Sequence, residues 1–181
     1  MSEKLEPQEL RALLNYDPNT GVLTWNPRGL GAFNSPRAFK SWNTRFAGKV
    51  AGYFCSVKGY GGITINGKRY LTHRVCWAVY YGKWPEGQID HIKGIKTDNR
   101  ISQLRDVSCQ DNRRNMPKPI NNKSGVVGVS WFKRDSKWQA GIMIDGKSKY
   151  LGAFTDKQDA INARKAAEVK YGFHKNHGRG E

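Results

Sequence analysis

The spacing of apolar and polar positions changes several times along the chain, and each change marks an element. From Pro7, the leucines of PQELRALLNY recur at helical spacing behind a first-turn proline, which predicts a short helix. DPNTG predicts a turn leading into a strand over Val22–Trp25. Residues 26–46 are rich in Gly, Pro, Arg and aromatics with no clear period, and read as a long basic loop ordered by a ligand. GGITINGKRYL alternates around Asn66-Gly67, the strongest short hairpin signal. THRVCWAVYYG predicts a helix closed by Gly82. QID and LRDV read as two short strands joined by a polar loop containing Gly94, and Ser108 caps a helix carrying Asn112 and Asn115.

The pattern breaks at residues 116–125, MPKPINNKSG, whose prolines, Asn/Lys pairs and Ser-Gly predict a linker. Beyond it GVSWF, WQAGIMI and KYLGAF predict a three-stranded antiparallel meander, with turns at 134–137 and at Asp145-Gly146. Thr155 and Gln158 form a capping-box pattern that opens a helix. Ala160, Ile161, Ala163, Ala167 and Val169 supply its expected apolar stripe. The fold class expected from this order is α+β.

Composition narrows the function classes. With 181 residues, 38% hydrophobic and six Trp, the chain suffices for two or three small modules with packed cores. No apolar run approaches the roughly 18–20 residues of a membrane span, and the polar, acidic start does not read as a signal peptide. Three cysteines without a CxxC pair argue against a disulfide framework and fit a reducing, cytoplasmic setting. Thirty-one Lys+Arg against 15 Asp+Glu give a net charge of +16, spread over both halves: +9 in residues 1–115 and +7 in 116–181. A folded surface this basic is matched to a polyanion, because each phosphate it neutralises releases a condensed counterion. Nucleic acid is the expected partner; no membrane and no small-molecule cofactor is expected.

The densest set of chemical groups is QIDHIKGIKTDNRISQLRDVSCQDNRRN, residues 88–115. Metal-assisted phosphodiester hydrolysis needs a hard carboxylate and a neutral oxygen ligand for a hydrated divalent ion, and an imidazole to take a proton from water. Asp90 and Asn112 suit the first role and His91 the second. Neighbours in a regular strand face opposite sides, so Asp90 and His91 share one site only where the strand ends or bulges. A zinc site from His73, Cys76, His91 and Cys109 is the other metal option, on the weak H-x-x-C pattern.

These residues lie in a strand–loop–strand–helix order, and the segment resembles the HNH nuclease family, a ββα-metal fold, in the branch common among phage and homing endonucleases. YDPNTGVLTW, WNTRFAGKVAG, GYGGITINGKRYLTHRVCW, WPEGQIDHIKG, TDNRI, LRDVS and QDNRRN carry the resemblance over most of residues 10–115. It implies His91 as general base, Asp90 and Asn112 as ligands of one Mg²⁺ or Mn²⁺ ion, Asn99 and Arg100 as loop residues, and His73 as packing or DNA-facing. The family's middle Asn, which orients the catalytic His, is replaced here by Gln103. An extra methylene moves that amide by more than about an ångström, looser than catalytic geometry usually tolerates. An impaired centre, or a non-catalytic DNA-binding protein on a nuclease scaffold, is therefore the alternative to an active endonuclease; RNA or structure-specific cleavage is not discriminated.

Residues 124–173 are similar to the DNA-binding domain of plant Apetala-two/ethylene-response factors, through GVSW, KW-x-A, YLG-x-F and the A-x-x-A-R-x-A-A helix. That resemblance implies a three-stranded sheet in the major groove backed by the helix. The implied contacts are Trp131, Lys133, Arg134, Lys137 and Trp138, with Lys147 and Lys149 in reserve; core packing is the equal alternative for Trp138. In the nuclease half Lys93, Lys96, Arg100, Arg105, Arg113 and Arg114 surround the expected centre, and Arg28, Arg37, Lys40 and Arg45 could grip flanking DNA. The expected layout is a β-rich basic extension (1–72), a nuclease core (73–115), a linker (116–123), the second DNA-binding module (124–175) and a tail (176–181). The two-module layout suggests a monomer, and the resemblances imply a phage-encoded protein acting on double-stranded DNA in the host cytoplasm.

Overall fold

A computed structural model describes residues 5–55 and 59–180; Glu3, Lys4 and the side chain of Cys55, all used in the charge and cysteine arguments, lie outside them. Its helices and small sheets make an α+β fold. The chain divides into two compact units, Met1–Asp106 and Val107–Glu181.

In the first unit, α1 (Pro7–Leu13) opens with a proline and a capping box between Glu6 and Glu9. The helix stops earlier than the leucine spacing predicts, because Leu14–Asp17 becomes β1 and pairs antiparallel with β2 (Val22–Trp25), Leu14 opposite Trp25. Strand pairing that buries Leu14 outweighs a weak helical preference. The expected loop over 26–46 is largely a helix, α2 (Pro36–Phe46). Its start is well encoded: the Ser35 hydroxyl accepts from the Ala38 N–H at 3.2 Å, and Pro36 occupies the first turn.

β3 (Tyr53–Cys55), β4 (Tyr60–Ile65) and β5 (Lys68–Leu71) form an antiparallel sheet in that order. Asn66 (φ 49°) and Gly67 (φ 76°) make the left-handed pair that a two-residue hairpin demands. α3 (Thr72–Tyr81) lays Val75, Cys76, Ala78 and Val79 onto a core shared with Leu10, Leu14, Leu23, Ile63 and Ile65. β6 (Gln88–His91) and β7 (Leu104–Val107) pair as a two-stranded sheet, and Ile89 and Leu104 anchor it in the same core.

In the second unit, α4 (Cys109–Arg113) is capped by Ser108, whose hydroxyl accepts from the Asp111 N–H at 3.1 Å. β8 (Val129–Phe132), β9 (Lys137–Ile144) and β10 (Lys147–Phe154) form the expected antiparallel meander with β9 central. α5 (Lys157–Lys170) packs on it over Val129, Ala140 and Ala160. Two details correct the sequence reading. The cap is Asp156, which accepts from the Gln158 N–H at 2.5 Å, one residue beyond Thr155. The buried stripe includes Arg164 and Glu168, ion-paired at 2.9 Å, whereas Val169 is 83% exposed. Residues of the expected linker and tail are joined by backbone hydrogen bonds, Lys118 N–H to Arg179 O and Gly178 N–H to Met116 O, each 2.9 Å. Among the described residues no helix is long and apolar enough to cross a membrane.

Candidate functional site

β6 ends at His91, the break in the strand that a site shared by Asp90 and His91 would need. The Ile92 N–H donates to Gln103 O at 2.9 Å and the Gly94 N–H to His91 O at 2.7 Å, turning the chain immediately after the dyad. Asp90 and His91 are 7% and 4% exposed, so both polar side chains sit in low-dielectric surroundings where partners matter. They take different ones. Asp90 Oδ2 accepts a hydrogen bond from Arg105 Nε on β7 at 2.8 Å and lies 2.7 Å from its Nη2 in an ion pair. His91 Nε2 lies 3.4 Å from Asn99 Oδ1, and its ring meets the His73 ring edge-on with centroids 5.1 Å apart. Tyr60 completes the wall, 5.2 Å from His73 and 6.0 Å from His91, with Lys96 Nζ 5.1 Å above its ring.

Burial lowers the His91 pKa below the usual histidine range, against the opposing effects of the Asn99 hydrogen bond and the Asp90 carboxylate. The ring is therefore neutral near pH 7 and able to accept a proton. His73 is lowered further, to about 3, first by burial and then by the neighbouring His91 and Arg74 charges. Its Nδ1 is buried with no hydrogen-bond partner among the described residues.

The loop bearing Asn99 is held from behind by the β1–β2 hairpin. Tyr16 OH donates to Asn99 O at 2.7 Å, and the Ile101 N–H to Pro18 O at 3.2 Å. Gly21, at φ 76°, lets the two backbones touch: a Cβ there would stand 2.5 Å from Arg100 N and 2.6 Å from the Asn99 carbonyl carbon. Arg100 closes the loop on Asp98 through Nε (2.8 Å) and Nη2 (2.6 Å).

Of the residues singled out in the sequence, the first unit brings together Asp90, His91, Arg105 and Lys96. Lys93 is exposed. The Gln103 side-chain oxygen is buried without a donor among the described residues, so the amide of Asn99, expected only to shape a loop, is the one beside the imidazole. Sequence reasoning missed that role and the Asp90–Arg105 pair because both depend on how β6, β7 and their loop meet. Asn112 and Arg113 lie on α4 of the second unit, Arg113 exposed. Arg114 follows, pairing with Asp111 at 3.5 Å and Asp145 at 3.9 Å.

In the meander, Val129 stands opposite Ala140 and Trp131 opposite Trp138. Period-2 alternation therefore places both tryptophans on the face that α5 covers. Trp138 packs against that core, with Trp131 edge-on at 5.3 Å. Lys133 and Arg134 form the turn between β8 and β9, and Lys137 begins β9, all three exposed. Lys149 Nζ donates to the Tyr171 hydroxyl at 2.7 Å.

The donor chemistry suits a hydrated divalent cation better than a full cage. Asp90 offers a hard carboxylate already engaged by a cation, and Mg²⁺-like ions keep several waters and need only one or two protein oxygens. Among the described residues no three of His, Cys, Asp and Glu converge on a metal position. The zinc option weakens for a chemical reason as well: burial pushes the Cys76 thiol up to about 12, whereas zinc needs the thiolate.

Comparison with known proteins gives two matches. The chain is similar to Protein 3.8 of Escherichia phage T7, with 34% identity over 76 residues, 41% of this chain and 63% of that protein. It thus spans less than two thirds of that relative's length. No solved structure matches the chain. Residues 70–114, which hold Asp90, His91, Asn99, Gln103, Arg105 and Asn112, match the HNH endonuclease family.

Proposed function

We propose that this protein is a DNA endonuclease in which His91 is the general base and Asp90 a ligand of one divalent cation. The observation that carries the reading is the buried, adjacent Asp90–His91 pair at the end of β6, inside the segment matched to HNH endonucleases. Asn112 enters as the second oxygen ligand on the sequence pattern alone. When bound, the cation would supply charge stabilisation to the scissile phosphate and the departing oxygen. The neutral His91 ring removes the proton of the attacking water, and burial keeps it neutral down to lower pH than an exposed histidine. Asn99 orients that ring, its Oδ1 accepting from Nε2–H, the tautomer in which Nδ1 carries the lone pair that takes the proton. Arg105 fixes the Asp90 carboxylate. Lys93, Lys96, Arg113 and Arg114, with Lys133, Arg134 and Lys137 at the β8–β9 turn, supply phosphate contacts. The match to a phage protein supports action inside a host cell.

A silenced site is the second reading, favoured by the Gln103 oxygen that finds no donor among the described residues. Cleavage of supercoiled plasmid with Mg²⁺ or Mn²⁺ separates the two, comparing the parent chain with His91→Ala and Gln103→Asn. Cutting by the parent that is lost in His91→Ala establishes the nuclease. Cutting only by Gln103→Asn establishes a built but silenced centre, and DNA binding with no cutting by any of the three refutes the enzymatic reading.

A further inference from the structure

Between Asp17 and Glu86 the chain contains ten Lys or Arg residues and no acidic one. In the middle of this stretch stands α2, which buries none of its 11 residues. A helix that contributes nothing to the core would ordinarily fray, yet this one is fixed by a dedicated device. Trp42 lies against Trp25 (5.9 Å), Phe33 (6.0 Å) and Phe46 (5.4 Å). The Arg28 guanidinium caps that stack, 4.3 Å from the Trp42 ring and 5.4 Å from Trp25. Asn43 then pins the preceding loop, accepting from the Arg28 N–H at 2.9 Å and donating to Arg28 O at 3.0 Å.

The rigidity serves the other face. At 100° per residue, Phe39, Trp42, Asn43 and Phe46 fall on the half that packs, and Arg37, Lys40, Thr44 and Arg45 on the half that is exposed. Arg37, Lys40 and Arg45 form no ion pair among the described residues, and the surrounding sequence offers no carboxylate to neutralise them. From Arg37 to Thr44 the helix rises about 10 Å, roughly three base-pair steps along one DNA strand.

We propose that α2 is a phosphate clamp: its Arg37–Lys40–Arg45 face docks on the backbone of duplex DNA flanking the cleavage position, held rigid by the Arg28–Trp42 stack. This rests on the reading that the protein binds DNA, and does not depend on whether His91 is active. Charge complementarity commits the face to a polyanion, and a preformed helical row suits a regular duplex better than a flexible single strand.

The test is binding of the full chain to a 30-bp duplex DNA by fluorescence anisotropy in EDTA, where cleavage is suppressed, from 50 to 200 mM KCl. The variant Arg37→Gln/Lys40→Gln/Arg45→Gln is compared with Lys83→Gln/Lys123→Gln/Lys170→Gln, which removes the same charge elsewhere. Circular dichroism checks folding, and Arg37→Glu/Lys40→Glu gives a second measure on the same face. Losing three phosphate contacts lowers the salt slope by about 2.7, so the affinity gap to the parent closes about 40-fold over that salt range. The charge-matched control keeps nearly the parent slope. Equal losses in both triple variants would overturn the clamp, as would an effect seen with duplex RNA but not with DNA. A parent that fails to bind DNA at all sinks the DNA-binding reading and the clamp with it. A parent that binds through α2 but never cuts refutes the nuclease alone.

Discussion

Acidification should unfold the first unit through His73, and the size of the effect follows from its surroundings. His73 is 4% exposed, wedged between Tyr60 and His91, with its pKa lowered from 6.5 to about 3. In the unfolded chain the same ring protonates near 6.5, so the unfolded state takes up the proton first. The stabilisation from keeping it neutral is present above pH 6.5 and is lost as the pH falls from there towards 3. Between pH 7 and pH 5 the loss is about 2 kcal/mol, and by pH 4 about 3 kcal/mol. His91, lowered in the same direction, adds to it. Urea unfolding followed by tryptophan emission at pH 7 and pH 5 measures the change. His73→Leu isolates the share of this one ring, because it fills a similar space and removes the unpartnered nitrogen. The midpoint drop on acidification should be about 1 M urea smaller in His73→Leu than in the parent, taking a slope of about 2 kcal/mol/M. An identical drop in both proteins would refute the argument and place the acid sensitivity elsewhere.

Three further outcomes are expected. Asn99→Ala should cut the cleavage rate about 10- to 100-fold, and Asn99→Asp should move the acid limb of the pH–rate profile upward, because a carboxylate beside the ring favours its protonated, inactive form. Arg105→Met should destabilise the first unit by about 3 kcal/mol in urea unfolding, by leaving the buried Asp90 carboxylate without its guanidinium. Gly21→Ala should cost at least about 1–2 kcal/mol in thermal unfolding, since its φ of 76° and the 2.5 Å approach to Arg100 N both penalise a side chain; cleavage should fall with it.

Elements announced by local chemistry were legible in the sequence. The Asn66-Gly67 hairpin, the helix ending at Gly82 and the meander broken at Asp145-Gly146 each carry their own stop signal, and the structure follows them. α2 was equally well encoded by Ser35-Pro36 and by Phe39, Trp42 and Phe46 at helical spacing, but the surrounding glycines and prolines hid a period only three turns long. In α5, Arg164 and Glu168 look like an exposed i, i+4 pair, and only the close approach of Gly141 O, 2.7 Å from Arg164 Nη1, explains their burial. At the site, Asp90 and His91 could be read because they adjoin each other. Their partners could not. Arg105 is placed by strand pairing, and Asn99 by a loop whose path is set more than seventy residues upstream, at Tyr16, Pro18 and Gly21.

That upstream anchorage sets how little of the chain can be removed. A fragment starting at Tyr70 would keep every side chain expected to do chemistry in the matched segment, yet Tyr16, Pro18 and Gly21 would be gone from beneath Asn99. The imidazole would then depend on a loop with one fewer wall, so the matched segment is not a portable cassette. Fusions or minimised derivatives need to begin ahead of α1. Conversely, a compound wedged under Gly21 would disturb the Asn99 loop, and His91 with it, from the rear.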